Sequence, residues 1–488
     1  MQIVDWMRLV LFLALIPVMS AWAATIEIVN ENTPGTGFSD NAPAVTAAGD
    51  NGAETLGEQR LRVLQHAADI WGAVLHSNVP IRVAARMIDQ PCGSDGTVLA
   101  SAGPVSLAID FPNAPRANTA YHIAQANALA GADLAPESND IAINFNLALD
   151  AGCSGSSVGW WYGIDPDSPV PVNRTAMLPV ALHELAHGLG FSAVIDLSTG
   201  EYASSVPTIW ANYLYDLEAM KHWRSMTAAE RVVSAQNDPN LVWSGSTTNR
   251  YASNFLAPAP ALKFTTARGG FKDVTELGFA EFGARYPDAP LSGRVILIND
   301  GVAATDDPPG TLHDGCESPF LNGQRLAGRI ALIDRGLCPF VDKARHAQQH
   351  GAVAVIIINN VEGPPPGMAG ADPTITIPVV SVSLEIGRWL KRRLLRPQVT
   401  VIFGQTDDLA GVTQSCLRMY APADLQLGSS VSHFHRVAVP DLLMEPAITR
   451  GVFDDLDLTP LLLRDIGWLT NLDMGTSPPN ECIVEPLP

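Results

Sequence analysis

The chain of 488 residues is acidic, with 50 Asp and Glu against 30 Lys and Arg and a formal charge of −20. Such a surface repels polyanions, which excludes nucleic acid and anionic membrane as expected partners. Hydrophobic residues make up 47% and charged residues 16%, the balance of a folded chain and not of a disordered one. The length exceeds what one core usually holds, so two domains are expected.

In chain order, residues 1–23 read as a secretory signal: Arg8 near the start, an apolar run from Leu9 to Met19, and Ala21, Trp22 and Ala23 as a cleavage box before Ala24. No later stretch is long and apolar enough for a membrane helix. The expectation is a soluble protein, exported to the periplasm or the extracellular space. Residues 24–55 are rich in Gly, Asn, Ala and Thr, with one strand-like run at Thr25–Val29, and leave room for a short removable propeptide. From Glu58 to His76 the spacing is helical, with Leu61, Leu64, Ala67, Trp71 and Val74 on an apolar stripe. Pro80–Ala85 and Asp140–Asn146 read as strands. The second is open to two readings, a core strand or the edge along which an extended peptide lies. Trp160, Trp161 and Phe191 read as core. Six cysteines in an exported chain imply three disulfides. Proximity along the chain favours Cys92 with Cys153, Cys316 with Cys338, and Cys416 with Cys482.

The segment from Ala181 to Phe191 carries the chemistry. On a helix, a spacing of four residues returns a side chain to nearly the same face, so His183 and His187 can offer imidazole nitrogens to one metal ion. Glu184 falls beside them, free to hold a water as general base instead of closing a coordination position. Thr175–Leu182 is apolar enough to bury this helix, and Gly188 and Gly190 supply a place to stop it, Gly190 suiting a C-terminus that needs φ > 0.

The pattern His183-Glu184-x-x-His187-x-x-Gly190 resembles the metzincin zinc-peptidase signature, in which a third histidine or an aspartate follows three residues after the glycine. Here that position is Ala193, which cannot ligate. One metzincin branch, the leishmanolysin-like peptidases, keeps Gly190 and Phe191 but inserts a long segment before the third histidine. Gly428–His435, followed by Pro440–Pro446, resembles that branch's third-ligand segment and Met-turn. The resemblance implies His433 as third ligand and Met444 as the packing residue of a tight turn beneath the metal. His435, two residues on along an extended strand, is the alternative ligand. Glu201 and Glu218 are the candidates if the enzyme instead follows the thermolysin pattern.

From about residue 270 short β-branched runs appear at Gly293–Asn299, Gly328–Asp334 and Ala352–Asn359, which read as buried strands. Phe340–His350 has helical character between the last two. Arg335–Ile356, with Ile377–Val380 beyond, resembles the protease-associated (PA) domain, whose family implies no catalysis of its own but a part in positioning substrates. His346 and His350 also lie four apart, and a second metal site there is a weak alternative without a matching acidic partner.

The resulting expectation is an α+β fold, a metzincin-like catalytic domain (mixed sheet plus zinc helix) interrupted by an inserted α/β PA domain. Its parts are 1–23 signal, 24–269 first catalytic part, 270–405 PA insert and 406–488 second catalytic part. The implied activity is zinc-dependent endopeptidase, one Zn2+ per chain on His183, His187 and His433, with Glu184 as base, acting on protein or peptide substrates that the PA domain engages. A different class stays open: an exported binding module whose zinc site is structural or inactive.

Overall fold

The computed structural model describes residues 23–45, 49–93, 96–152, 159–171, 173–266, 269–287, 290–303, 305, 310–370, 372–395, 398–448, 451–472 and 482–484. The expected signal segment up to residue 22 and Cys153 lie outside them.

The first sheet is mixed. Strand β1 (Ile26–Asn30) runs parallel to β2 (Ile81–Ile88), β2 runs parallel to β4 (Ile141–Asn146), and β3 (Ala100–Pro104) closes the order β1-β2-β4-β3 as an antiparallel edge. The strand Ile141–Asn146 is therefore interior, paired on both sides, and the edge is a segment whose Gly- and Ala-rich sequence carries no strand signal. This decides between the two readings of that strand. Helix α1 (Leu56–Val74) begins with a capping box, in which Thr55 accepts from the Glu58 N–H and the Glu58 carboxylate reaches back to Thr55, a device worth about 1 kcal/mol.

Helix α2 (Ile123–Ala130) precedes β4, and helix α3 (Met177–Leu189) carries the histidine motif. Every residue of α3 is buried, as expected of a helix that is apolar nearly all round. A helix end buried in this way must find donors for its last carbonyls. Gly190, at φ +126°, turns its N–H back to Ala186 and His187. Gly188 O accepts from His122 Nδ1 at 3.1 Å and Leu189 O from Trp468 Nε1 at 2.8 Å. Midway, Trp71 Nε1 ties α1 to Leu182 O at 3.0 Å.

The second sheet has eight strands. Leu291–Leu297, Ile330–Asp334, Ala354–Ile358 and Val379–Val382 are parallel neighbours at its centre. Alternate residues feed two cores: Val295, Ile330, Leu332 and Ile356 pack with Leu390 on one face, and Ile296, Ala331, Ile333 and Val355 with Ala344 and Ala347 on the other. Helices Phe340–Gln349 and Leu384–Leu394 cover the faces, as parallel sheets require. On one side the sheet continues through Val399–Leu409 to Pro258–Thr266 and Phe271–Val274. The segment expected at 270–405 thus sits inside a sheet whose outer strands reach Pro258 and Leu409, since the prolines of Pro258–Thr266 masked a strand that accommodates them with a register shift between Pro258 and Pro260. Cys316–Cys338 and Cys416–Cys482 are disulfide-bonded; the third expected pair involves Cys153, outside the described residues.

The eight-stranded unit leaves and rejoins the rest of the chain at one point. Pro258 pairs with Leu409, and Ala410 N donates to Ala257 O at 2.9 Å. Just beyond this neck, Leu241–Trp243 pairs antiparallel with Cys416–Arg418, which returns the chain towards α3.

Gly188 lies within α3, so it does not end the helix; its role is close approach. A Cβ there would meet Ile141 Cγ2 at 2.4 Å. Gly188→Ala is expected to destabilise the protein by about 1–3 kcal/mol through overpacking, read as a lower midpoint in chemical denaturation. An unchanged midpoint would show that α3 does not press on β4 as described.

Candidate metal centre

Three histidines from remote parts of the chain meet at the end of α3. Nε2 of His183 lies 3.1 Å from Nε2 of His187 and 3.1 Å from Nε2 of His433, and the third side of the triangle is 3.2 Å. Four donors about 2.0 Å from a metal at tetrahedral angles stand about 3.3 Å apart, so the three nitrogens fit one face of such a site. Each ring spends its other nitrogen on a backbone carbonyl: His183 Nδ1 on Leu443 O, His187 Nδ1 on Phe191 O and His433 Nδ1 on Ser429 O, all at 2.7 Å. Those contacts make Nδ1 the protonated nitrogen and turn the Nε2 lone pairs inward.

Local sequence explains each placement. Met177–Leu189 puts His183 and His187 on one helical face, and the turn at Gly190 brings Phe191 O back to His187. Ala193 sits beside the third histidine without ligating, its N–H donating to Ser432 Oγ at 3.1 Å. His433 is reached through Val431, a β-branched residue at φ +63°, a conformation rarely adopted without support. Support comes from both sides of its peptide: Val431 N donates to Tyr420 O at 2.8 Å, and Trp210 Nε1 donates to Val431 O at 3.1 Å. Met444 is fully buried in the turn after this segment, and its carbonyl takes Phe434 N–H at 2.8 Å.

Glu184 is 6% exposed, and its Oε2 has no hydrogen-bond partner. Burial pushes its carboxyl up to about 8, opposed by hydrogen bonding to the Ala102 backbone on edge strand β3. The same burial lowers His183 to about 3, helped by neighbouring His187, and lowers His187 to about 4. His433 falls well below its ordinary value through burial and the two facing imidazoles. All three rings are neutral at physiological pH, the form that ligates a metal.

His435 does not join this group. Its Nε2 faces Asp238 at 3.1 Å and Arg418 at 3.3 Å, and its Nδ1 accepts from Val437 N at 3.2 Å, so the ring serves a separate ion-pair cluster. The alternative-ligand reading is corrected accordingly. Glu201 and Glu218 are exposed and outside the group as well. His346 and His350 hold different backbone groups, Gly315 O and Phe320 N, and do not converge. Nothing in the sequence marks as part of the site Ala102 or Leu443, which meet Glu184 and His183 through backbone atoms, or Asp457, whose carboxyl takes the Leu443 N–H. Only the Asp457-x-Thr459 turn before the last helix leaves a readable signal.

Residues 299–390 match the PA domain family. Over 120 residues the chain is 40% identical to a probable lipoprotein aminopeptidase, LpqL, of Mycobacterium tuberculosis, covering 24% of this chain and 22% of that protein. Over 195 residues it is 31% identical to the minor extracellular protease Vpr of Bacillus subtilis, covering 38% and 22%. The chain thus spans about a fifth of the length of these relatives. Among solved structures, BSAP, a zinc aminopeptidase from Bacillus subtilis, matches at 25% identity and a TM-score of 0.21 over 32% of this chain and 33% of that one.

A buried carboxyl beside three neutral imidazoles has a stability signature in metal-free protein. With a folded value near 8 against an ordinary 4.5, the folded state holds a proton that the unfolded state has lost, so the wild type loses stability as pH rises through that window. Glu184→Gln removes the titration. The stability difference between Glu184→Gln and wild type, both stripped by chelator, is expected to be flat below about pH 4.5, to grow in favour of Gln up to about pH 8, and then to level. Denaturation curves at stepped pH would contradict this if the difference did not change.

Proposed function

We propose that the chain is an exported zinc-dependent endopeptidase of the leishmanolysin-like metzincin type, with His183, His187 and His433 as metal ligands and Glu184 as general base. The observation that carries the reading is the triangle of inward-facing Nε2 atoms beside a buried carboxylate oxygen without a partner. Structural zinc sites are usually closed by four protein ligands. This group offers three among the described residues, which favours an open, catalytic site. When bound, zinc supplies Lewis acidity, lowering the pKa of a water towards about 7 and polarising a carbonyl.

The chain's own residues supply the rest. The three Nδ1–H contacts hold the rings in register, and the apolar packing of Phe191, Trp210 and Phe434 keeps bulk water from the back of the site. Glu184 Oε2 takes the proton of the attacking water and carries it to the leaving amine nitrogen. A cation beside Glu184 draws its raised pKa back down, which suits it to start as the base. Substrates are proteins or peptides, and the PA domain helps position them. The aminopeptidase and protease names of partial relatives agree with peptide-bond hydrolysis without choosing between exo- and endopeptidase.

Zinc content and casein hydrolysis of wild type, Glu184→Ala and His433→Ala test this directly. The expected result is one zinc per chain in wild type, zinc kept but activity reduced at least 100-fold in Glu184→Ala, and both lost in His433→Ala. Full activity in Glu184→Ala would end the proposal. Zinc-loaded wild type without hydrolysis would instead favour a binding module with a structural site.

A further inference from the structure

The turn that holds His183 is itself held by a carboxylate from outside it. Leu443 is bonded at both ends: its carbonyl takes His183 Nδ1–H at 2.7 Å, and its N–H donates to Asp457 Oδ2. The peptide before Leu443 is held on both sides, its N–H by Asp457 and its C=O by Glu445 N at 3.2 Å, so Asp457 is the contact from outside the turn that helps set the direction of the Leu443 carbonyl. Asp457 is in turn over-determined. It adopts φ +45°, and its Oδ1 takes both the N–H and the hydroxyl of Thr459 at 3.0 Å. Thr459 is fully buried and opens the helix Thr459–Asp465. Next along the turn, Met444 O takes Phe434 N–H, the neighbour of His433.

We infer that Asp457 is a positioning residue of the metal centre, acting through the Leu443 peptide to aim the His183 imidazole. The inference rests on the zinc reading above. Among the described residues the Asp457 carboxyl oxygens meet the Leu443 N–H and the Thr459 N–H and hydroxyl, and these bonds tie the turn to the start of the helix Thr459–Asp465. Outer partners of ligating histidines typically change metal affinity 10–100-fold when removed; here the partner acts one peptide further out.

The test compares zinc affinity, by competition with a chelator, in wild type, Asp457→Ala, Asp457→Asn and Asp465→Asn. Asp465 is the control: its carboxylate holds Trp243 Nε1 at 3.0 Å and the amides of Thr247 and Thr248 at 2.8 and 3.0 Å, none of them a residue that tethers a ligand ring. The expected result is zinc binding at least 10-fold weaker in Asp457→Ala and a smaller loss in Asp457→Asn, whose Oδ1 can still take the Leu443 N–H. Asp465→Asn should lose thermal stability but keep wild-type affinity. Should Asp457→Ala not fold, Asp457→Asn decides: weaker binding supports the inference. Wild-type affinity in the Asp457 variants, with a lowered Tm, would reduce Asp457 to a structural residue and overturn it. A wild type that takes up no zinc would instead sink the metal reading, and the inference with it.

Discussion

A buried imidazole can present one lone pair inward only if its other nitrogen is tied elsewhere, and the rest of this structure follows from meeting that condition three times. The tethers are Leu443 O, Phe191 O and Ser429 O, none of them a side chain. Backbone carbonyls do not titrate and have no rotamers, so the rings are held by the path of the main chain. That makes the fold answerable for the site. The turn at Gly190, the unusual backbone at Val431 and the turn through Leu443 and Met444 are the places where the main chain is bent to bring a carbonyl under a ring.

The same requirement explains the density of donors around α3. A helix that offers two histidines to a buried site has its C-terminal carbonyls in a dry environment, and His122, Trp468 and the Gly190 amide take them in turn. Trp71 meets the helix from the opposite element. These contacts link residues from α1 to Trp468, just beyond the helix Thr459–Asp465, so the site depends on segments before and after the eight-stranded unit alike.

Side-chain chemistry was legible in the sequence, and backbone chemistry was not. His183, Glu184, His187 and His433 stand out as residue types, and the structure gathers them. The strands Leu291–Leu297, Ile330–Asp334 and Ala354–Ile358 declare themselves because burial on both faces demands continuous β-branched runs. The edge strand Ala100–Pro104 declares nothing, because its contribution to the site is the peptide group of Ala102 and its side chains are small. Leu443 is invisible for the same reason. His435 misled by spacing: the expected strand is absent at 433–435, where Phe434 makes only an isolated bridge with Met419, and the His435 ring is taken by Asp238 and Arg418. The outer strand at Pro258 was hidden by prolines that a register shift absorbs.

The neck where Ala257 meets Ala410 bears on the order in which the molecule assembles. Before the eight-stranded unit forms, pairing Leu241–Trp243 with Cys416–Arg418 must close a loop of about 170 residues. Once Pro258 and Leu409 are neighbours, the loop left to close is about 25 residues, a saving of roughly 2 kcal/mol in chain entropy. Because the parallel strands of the eight-stranded unit contact one another over short sequence distances, it can form early and act as a clasp. The histidine that completes the triangle is then delivered to α3 by a chain already folded back on itself.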